Sequence, residues 1–302
     1  MKYSIGVDLG GTKTEIVLCG DNPLETIERL RVPTLQKNGY PALVKQLSEL
    51  ILSYIGKCSS LPSIGIGIPG SLESDKGLVR NSNIQCLIKK PLKADLEKII
   101  NHSVRLENDA NCFALSEARF GAGKAHGVVM GIIMGTGLGG GLVISGKVLG
   151  GHQGIAGEWG HSTIDLNGLD CWCGRKGCLE QYLSGTGLEN LYFRKSGVKK
   201  SAQDICRDSM EKKEAAARET LDEFLSYFGE GIANLIVCID PDIVVLGGGL
   251  SNLPLLYDEG VAQVRKRLFN RELSTPIVQN LLGDSSGIFG AVIAGMNQGD
   301  FS

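Results

Sequence analysis

The stretch IGVDLGGTKTEIVL, residues 5–18, predicts a β-hairpin with a glycine tip. Residues 5–9 have the apolar and β-branched character of a short buried strand, residues 10–13 form a glycine-rich turn, and residues 14–18 return as a second strand. Asp8 stands near the end of the first strand, where a purely structural chain would rarely place a charge. The hairpin therefore carries a candidate functional carboxylate.

A second hairpin with a glycine-rich turn is predicted about half a chain later. Residues 128–134 predict a strand, residues 135–141 a glycine-rich turn, and residues 142–145 a returning strand. A third glycine turn, residues 247–249, follows the apolar run 243–246. Successive amide N–H groups in such turns form concave nests for phosphate oxygens. Ordinary hairpin turns would explain any one of them, but three together favour a bound nucleotide.

Two stretches also match the glycine fingerprint of a dinucleotide-binding fold. GIGIPG at residues 65–70 and GTGLGG at residues 135–140 fit the pattern G-x-G-x-x-G. That fingerprint needs a helix directly after the glycines, whereas residues 71–77 are loop-like and residues 142–145 read as a strand. The P-loop pattern G-x-x-x-x-G-K-S/T is absent from the sequence. We therefore do not expect a nicotinamide cofactor or a P-loop.

Four candidate zinc ligands, His161, Cys171, Cys173 and Cys178, stand in one short stretch. Three thiolates and one imidazole close a tetrahedral zinc site with no open position, so such a metal would be structural. A disulfide is disfavoured because the nine cysteines are odd in number and the other six are scattered, mostly in apolar runs. Redox chemistry and a metal-free turn are the remaining alternatives.

Several carboxylates have the placement of functional groups. Asp8 is suited to hold Mg²⁺ through water, since that ion keeps several waters and uses one or two carboxylates plus phosphates. Asp109 opens a predicted helix, residues 108–118, where it is either an N-cap worth about 1 kcal/mol or a general base for a sugar hydroxyl. Glu158 and Glu180 are candidates to orient hydroxyl groups at the same site.

Composition excludes some partners. The 302 residues carry a net charge of −2 and are 42% hydrophobic, which is ample for a buried core but gives no basic field for nucleic acid. No apolar run approaches the length of a membrane span, and residues 1–4 lead into a strand rather than a signal peptide. We expect a cytoplasmic protein that binds small molecules, without nucleic-acid or membrane partners.

Five motifs together resemble the repressor, open reading frame and kinase (ROK) family of sugar kinases. They are DLGGTK at residues 8–13, ENDAN at 107–111, GTG at 135–137, GEWGH at 157–161 and CWCGRKGCLE at 171–180. The resemblance, which runs from residue 5 to about residue 295, implies an α/β fold of the duplicated, actin-like ATPase (ribonuclease-H-like) type. Two lobes around a cleft would bind a sugar and ATP.

The expected smaller N-terminal lobe comprises residues 1–122 plus about 288–302. The larger C-terminal lobe comprises residues 123–287 and contains the zinc-binding loop 158–180. A homodimer is expected because dimers are common among proteins that the chain resembles.

The resemblance also implies a role for each motif residue. Asp109 is the catalytic base, and Asp8 is the magnesium-side carboxylate. The residues expected to bind sugar are Gly70, Asn83, Asn108, Asp109, Glu158, His161 and Glu180, with His161 binding zinc through its other nitrogen. The residues expected to bind nucleotide are Gly10, Gly11, Thr12, Lys13, Gly135, Thr136, Gly137, Gly248 and Gly249.

The implied activity is phosphorylation of a hexose 6-hydroxyl by ATP with Mg²⁺. Residues 8–15, 156–161 and 283–287 look most like the fructokinase and mannokinase branch, so a fructokinase is the first interpretation. Residues 108–118 look equally like N-acetylglucosamine kinase, which is the alternative together with related N-acetylhexosamine or glucose kinases. A sugar-sensing, non-catalytic regulator is the alternative from a different class. A repressor is disfavoured because the first phosphate strand begins at Ile5, leaving no room for a helix-turn-helix domain.

Overall fold

A computed structural model of the chain describes residues 2–73 and 76–296 and divides into two compact units. Unit 1 is formed by Met1–Phe120, Gly146–Ala156 and Leu282–Ser302, and unit 2 by Gly121–Ser145 and Gly157–Leu281.

These units differ from the predicted lobes, which placed residues 146–156 and 282–287 with the second half of the chain and residues 121–122 with the first. Contacts inside unit 1 explain the first difference. The Arg80 guanidinium donates a hydrogen bond to the backbone carbonyl of Gln153. A Cβ atom added to Gly154 would lie 3.1 Å from the carbonyl oxygen of Leu72. The segment after the second hairpin therefore packs on the first unit.

The strands, in chain order, are β1 (Ser4–Leu9), β2 (Lys13–Cys19), β3 (Thr26–Pro33), β4 (Ser63–Ile68), β5 (Ser71–Leu72), β6 (Val79–Arg80), β7 (Arg105–Asn108), β8 (Val128–Met134), β9 (Leu138–Ile144), β10 (Lys147–Val148), β11 (Ile243–Gly247) and β12 (Ile277–Gln279). The helices are α1 (Tyr40–Ile55), α2 (Leu92–Ile100), α3 (Asp109–Phe120), α4 (Gly185–Ser196), α5 (Ala202–Met210), α6 (Ala215–Ile239), α7 (Glu259–Arg267) and α8 (Ser286–Gly295).

The sheet of unit 1 has the strand order β3-β2-β1-β4-β7. Strand β1 pairs antiparallel with β2 and parallel with β4, and β4 pairs parallel with β7. The predicted hairpin closes where expected, because the amide of Gly10 donates to the carbonyl of Lys13 at 2.9 Å. The carboxyl ends of β1, β4 and β7 consequently share one edge of the sheet.

The strands of unit 2 repeat that plan in the order β9-β8-β11-β12. Strand β8 pairs antiparallel with β9 and parallel with β11, and β11 pairs parallel with β12. In each unit the first strand of a hairpin also pairs with a parallel strand, and that strand pairs with a second parallel strand. The predicted duplication of an α/β fold is confirmed.

The second glycine turn is shorter than the predicted 135–141. Strand β9 begins at Leu138, so the glycines from 139 to 141 belong to the strand. Gly140 has no room for a side chain because the indole of Trp159 packs against it, and a Cβ on Gly157 would lie 2.5 Å from the Gly140 carbonyl oxygen. These glycines serve close packing, and only residues 135–137 form the turn.

Each unit has its own apolar core. In unit 1 helix α1 buries Leu43, Leu47 and Ile51 against residues of the sheet. In unit 2 the long helix α6 buries Phe224 and Phe228 in the second core. The fold is thereby stabilised mainly by burial of apolar area on both units.

Helix α8 fixes the position of α3, the helix that begins at Asp109. The backbone of Gly290 lies so close to that of Cys112 in α3 that no side chain fits between them. Helix α8 ends at Gly295, and residues 297–302 lie outside the described residues. No helix in residues 2–73 and 76–296 is both long and apolar enough to cross a membrane.

Candidate active site and metal centre

Asn108 and Asp109 stand where β7 passes into α3. The Asn108 side-chain oxygen accepts hydrogen bonds from the amides of Ala110 and Asn111, at 2.9 and 3.1 Å. Its side-chain nitrogen donates to the Gly70 carbonyl at 2.9 Å. Asn108 therefore caps α3, the role that the sequence analysis had left open for Asp109.

Asp109 is the first residue of α3 and is exposed. One of its carboxylate oxygens accepts from the amide of Ala110 at 2.8 Å. Because Asn108 supplies the longer-range cap, the Asp109 carboxylate has the placement expected of a group that acts on a ligand.

Gly70 and Asn83 lie on loops of unit 1. Gly70 has φ +103°, and a Cβ atom there would lie 2.5 Å from the Arg80 carbonyl oxygen, so only glycine fits. Asn83 is exposed, and its side-chain oxygen lies 3.9 Å from the position of a Cβ on Gly11. The structure thus brings this predicted sugar residue to the first glycine turn, while Gly70 contacts Asn108.

Asp8 lies beside the first turn of α8, since a Cβ on Gly287 would lie 3.7 Å from its carboxylate. Burial raises the pKa of Asp8 to about 6, with a further upward contribution from Glu15, while Arg31 and Arg29 oppose it. A carboxyl with that pKa is largely ionised at neutral pH. Asp8 can therefore serve as the predicted outer ligand of a hydrated cation.

The turn at residues 10–13 is held by its carbonyl groups. The amide of Thr34 donates to the Thr12 carbonyl at 3.0 Å, and the Thr34 hydroxyl donates to the Gly10 carbonyl at 2.7 Å. Within the described part of the chain, the amides of Gly11 and Thr12 have no hydrogen-bond acceptor. Two successive turn N–H groups without an internal acceptor are suited to bind phosphate oxygens.

The turn at residues 135–137 and the turn after β11 lie side by side in unit 2. Gly248 has φ +81°, and a Cβ there would lie 2.5 Å from the Met134 carbonyl oxygen and 3.0 Å from the Gly135 nitrogen. The amide of Gly185, at the start of α4, donates to the Gly135 carbonyl at 2.7 Å. The two glycine turns and the start of α4 therefore lie together in unit 2.

The four predicted metal ligands come together. Their ligand atoms all lie within 4.8 Å of one another. The Cys173 and Cys178 sulfurs are 3.6 Å apart, and the Cys171 sulfur is 3.7 Å from Nδ1 of His161. Tetrahedral zinc with Zn–S bonds of about 2.3 Å separates its ligand atoms by about 3.8 Å. The geometry and the thiolate-rich donor set both fit zinc.

His161 and Glu158 extend this centre toward the rest of unit 2. Nδ1 of His161 faces the sulfur cluster, which leaves Nε2 as the nitrogen available to a ligand. Burial raises the pKa of Glu158, with His161 lowering it and Glu180 raising it further. These three side chains therefore form one electrostatically connected group.

Glu180 has partners that the sequence analysis did not identify. One carboxylate oxygen accepts from the amide of Leu138 at 3.0 Å, and the other accepts from the indole N–H of Trp172 at 2.8 Å. The Trp172 ring is 70% exposed and packs edge-on against His161, with centroids 4.8 Å apart. The signal in the sequence was a tryptophan placed between two predicted metal ligands, Cys171 and Cys173.

The predicted residues fall into two groups. Unit 1 contains Asp8, Gly10, Gly11, Thr12, Lys13, Gly70, Asn83, Asn108 and Asp109, and unit 2 contains Gly135, Thr136, Gly137, Glu158, His161, Glu180, Gly248, Gly249 and the three cysteines. Each unit therefore combines a phosphate-binding type of turn with polar side chains suited to hydroxyl groups.

Comparison with known proteins agrees with this arrangement. The ROK family model matches residues 4–296. The N-acetyl-D-glucosamine kinase of Vibrio cholerae is 41% identical over 298 residues, covering 95% of this chain and 97% of the relative. A ROK hexokinase from Thermus thermophilus has a TM-score of 0.86 at 30% identity, with 97% of each chain covered.

A ROK family glucokinase from Streptomyces griseus, solved with glucose and AMPPNP, has a TM-score of 0.80 at 28% identity. The match covers 96% of this chain and 98% of the glucokinase. The fold of these proteins is the actin-like ATPase fold, as the sequence motifs predicted. The chain belongs to the ROK family, and within it to the kinases.

Proposed function

We propose that this protein is an ATP-dependent N-acetyl-D-glucosamine kinase that phosphorylates the sugar 6-hydroxyl. The observation that carries the proposal is the exposed Asp109 at the start of α3, with Asn108 as the cap. The relative from Vibrio cholerae, named for N-acetyl-D-glucosamine, favours that sugar over fructose or mannose, the first interpretation from the sequence.

In this proposal Asp109 accepts the proton of the 6-hydroxyl as its oxygen attacks the γ-phosphorus. A bond forms between O6 and phosphorus, the bond between that phosphorus and the β,γ-bridging oxygen breaks, and ADP leaves. A carboxylate within hydrogen-bond reach of the hydroxyl contributes about 10²- to 10⁴-fold to such a step. The junction of β7 and α3 fixes the position of this carboxylate.

The nucleotide phosphates are proposed to bind the glycine turns. The amides of Gly11 and Thr12 in unit 1, and those of Thr136 and Gly137 in unit 2, supply N–H donors, while Lys13 adds a positive charge. Asp8 would hold Mg²⁺ through water, and the bound ion would supply charge neutralisation on the phosphates. Gly10, Gly135, Gly248 and Gly249 shape the turns that bring these donors close.

The sugar hydroxyls are proposed to bind Asn108, Glu158, Glu180 and Nε2 of His161, with Gly70 and Asn83 on neighbouring loops. Asn108 has a second side-chain N–H besides the one donated to Gly70, so contact with a hydroxyl is compatible with its cap. A zinc ion at the cysteine cluster would fix the ring of His161 through Nδ1. Its role is structural, because three thiolates and one imidazole leave no open coordination position.

A coupled assay of ADP formation tests this function. Purified protein would be supplied with Mg·ATP and, in turn, N-acetylglucosamine, N-acetylmannosamine, glucose, mannose and fructose. We expect the highest kcat/KM with N-acetylglucosamine. A higher value with fructose or mannose would restore the first interpretation, and no ADP formation with any of them would contradict a sugar kinase.

Two expectations from the sequence stay predictions. We propose a homodimer, which light scattering of the purified protein would test by mass. We also propose a cytoplasmic location, which fractionation of the producing cells would test.

A further inference from the structure

We propose that Trp172 is a positioning residue, through which the zinc loop holds the nucleotide-binding turn at residues 135–137. The inference rests on the proposed function for the role of that turn. The link has two hydrogen bonds: the Trp172 indole N–H donates to Glu180 at 2.8 Å, and the Leu138 amide donates to the other Glu180 oxygen at 3.0 Å.

Both ends of the first hydrogen bond are anchored by metal ligands. Trp172 stands between Cys171 and Cys173, and Glu180 follows Cys178 by two residues. A metal that draws these cysteines together therefore sets the position of the indole relative to the carboxylate. The edge-on packing of Trp172 on His161, at 4.8 Å, adds a contact to the fourth ligand.

The second hydrogen bond reaches the glycine turn itself. Leu138 is the first residue of β9 and directly follows Gly137. A Cβ on Gly137 would lie 2.7 Å from the nearer Glu180 oxygen, so the carboxylate approaches this closely only because residue 137 is glycine. An ionised carboxylate makes a stronger hydrogen bond to a backbone N–H than a neutral acceptor does.

The other end of the turn is held independently. The Gly135 amide donates to the Gly137 carbonyl at 3.0 Å, and the Gly135 carbonyl accepts from the Gly185 amide at 2.7 Å. Within the described chain the amides of Thr136 and Gly137 have no acceptor. Glu180 thus fixes the C-terminal side of a turn whose central N–H groups point to no other part of the described protein.

Because Glu180 carries a charge, its contact with the turn at residues 135–137 is not explained as incidental packing. A carboxylate beside a phosphate-binding turn repels phosphate, which costs binding free energy. Its two oxygens instead accept from two N–H groups, and these offset the cost of holding the charge there. The arrangement is understandable if the carboxylate preorganises the turn, since preorganisation reduces the ordering cost of binding.

The test compares three full-length, zinc-loaded proteins: wild type, Trp172→Phe and Arg175→Met. Phenylalanine keeps an aromatic ring beside His161 but has no N–H donor. Because Trp172 is 70% exposed, its smaller replacement leaves the buried core unchanged. Arg175 is the control, because its guanidinium braces the same loop, donating to the His161 carbonyl and the Thr163 hydroxyl at 3.0 and 2.9 Å.

Three quantities would be measured: zinc per chain, hydrogen exchange of the Leu138 amide by NMR, and the Kd of Mg·ADP without sugar by calorimetry. For Trp172→Phe we expect one zinc per chain, about tenfold faster exchange, and Mg·ADP binding weakened by about three- to tenfold. For Arg175→Met we expect exchange and Kd within about twofold of wild type.

Unchanged exchange and Kd in Trp172→Phe would overturn the inference, and so would equal changes in both variants, which would indicate general loosening of the loop. If wild type bound no Mg·ADP, the proposed function would fail. In that case, Leu138 exchange that is faster in Trp172→Phe but not in Arg175→Met would still support the link between the loop and the turn.

Discussion

The two hairpin turns share a topology but are supported differently. The turn at residues 10–13 is held by Thr34, which directly follows β3 of the same sheet. The turn at residues 135–137 is held by the start of α4 and by Glu180, which belongs to the candidate zinc loop. The two units thus share a strand plan, and unit 2 has in addition a loop that can couple a metal to its turn.

The functional side chains differ in the same way. In unit 1 the candidate base Asp109 is positioned by ordinary secondary structure, the junction of β7 and α3. In unit 2 the candidate sugar ligands Glu158, His161 and Glu180 lie in or beside 3-10 turns. Irregular segments have few internal backbone hydrogen bonds, so a bound metal would stabilise the site residues of unit 2 more than those of unit 1.

The largest effect is expected when the candidate proton acceptor of unit 1 is removed. Asp109→Asn keeps the size of the side chain but removes the proton acceptor, so we expect kcat to fall about 10³-fold. Sugar affinity, measured by calorimetry, should change less than about threefold, because an amide still forms hydrogen bonds. Asp222→Asn, on the exposed surface of α6, is the matched control and should retain wild-type turnover.

The second-largest effect is expected when a candidate zinc ligand of unit 2 is removed. Cys173→Ser replaces a thiolate by a poor zinc ligand, so we expect loss of the metal and a rise of about 10- to 100-fold in the Kd of the sugar. Metal analysis and calorimetry measure both. A zinc-free variant with wild-type sugar affinity would show that the loop keeps its shape without the ion.

The third effect sharpens the role of Asp8. Its folded-state pKa of about 6 lies above the ordinary value of 3.8, so the folded state binds the proton more tightly than the unfolded state. Stability contributed by the protonated carboxyl is present below pH 4 and is lost as pH rises to about 6.

We expect Asp8→Asn to lose this part of the pH dependence and to be more stable than wild type at pH 7, by at most about 3 kcal/mol. Urea unfolding at pH 4, 5, 6 and 7 measures the difference. Parallel curves for the two proteins would mean that Asp8 has no perturbed pKa in the folded state.

The smallest effect tests the close approach of two turns in unit 2. Gly248→Ala places a Cβ 2.5 Å from the Met134 carbonyl oxygen at φ +81°, so we expect a loss of about 1–3 kcal/mol in unfolding free energy. Gly249→Ala is the matched control, since its Cβ would meet no atom within 4 Å. Equal melting temperatures for the two variants would contradict the packing described for Gly248.

Much of this site follows from local sequence. The hairpin at residues 5–18 was predictable because its contacts join residues close in the chain. The cluster of His161 with three cysteines was predictable because all four residues are of types that bind zinc. The duplicated fold was implied by the five motifs that resemble the ROK family, and the two hairpins, each with an apolar strand and a glycine turn, agree with it.

Other features depend on contacts that spacing does not encode. Glu180 accepts from an amide 42 residues away, and residue type alone cannot separate that role from sugar binding. Asn108 rather than Asp109 caps α3, because the choice depends on which side chain turns back toward the Ala110 and Asn111 amides. Gly140 reads as part of a turn, yet it pairs with Ile132 between β8 and β9, and its missing side chain leaves room for the Trp159 indole.

The identity of the product tests the central claim most directly. Protein incubated with N-acetylglucosamine and Mg·ATP would be analysed by phosphorus–proton correlation NMR. The account predicts a single sugar phosphate whose phosphorus couples to the two protons on carbon 6, formed together with one ADP. Recovery of unmodified sugar, or of a phosphate on the anomeric oxygen, would contradict it.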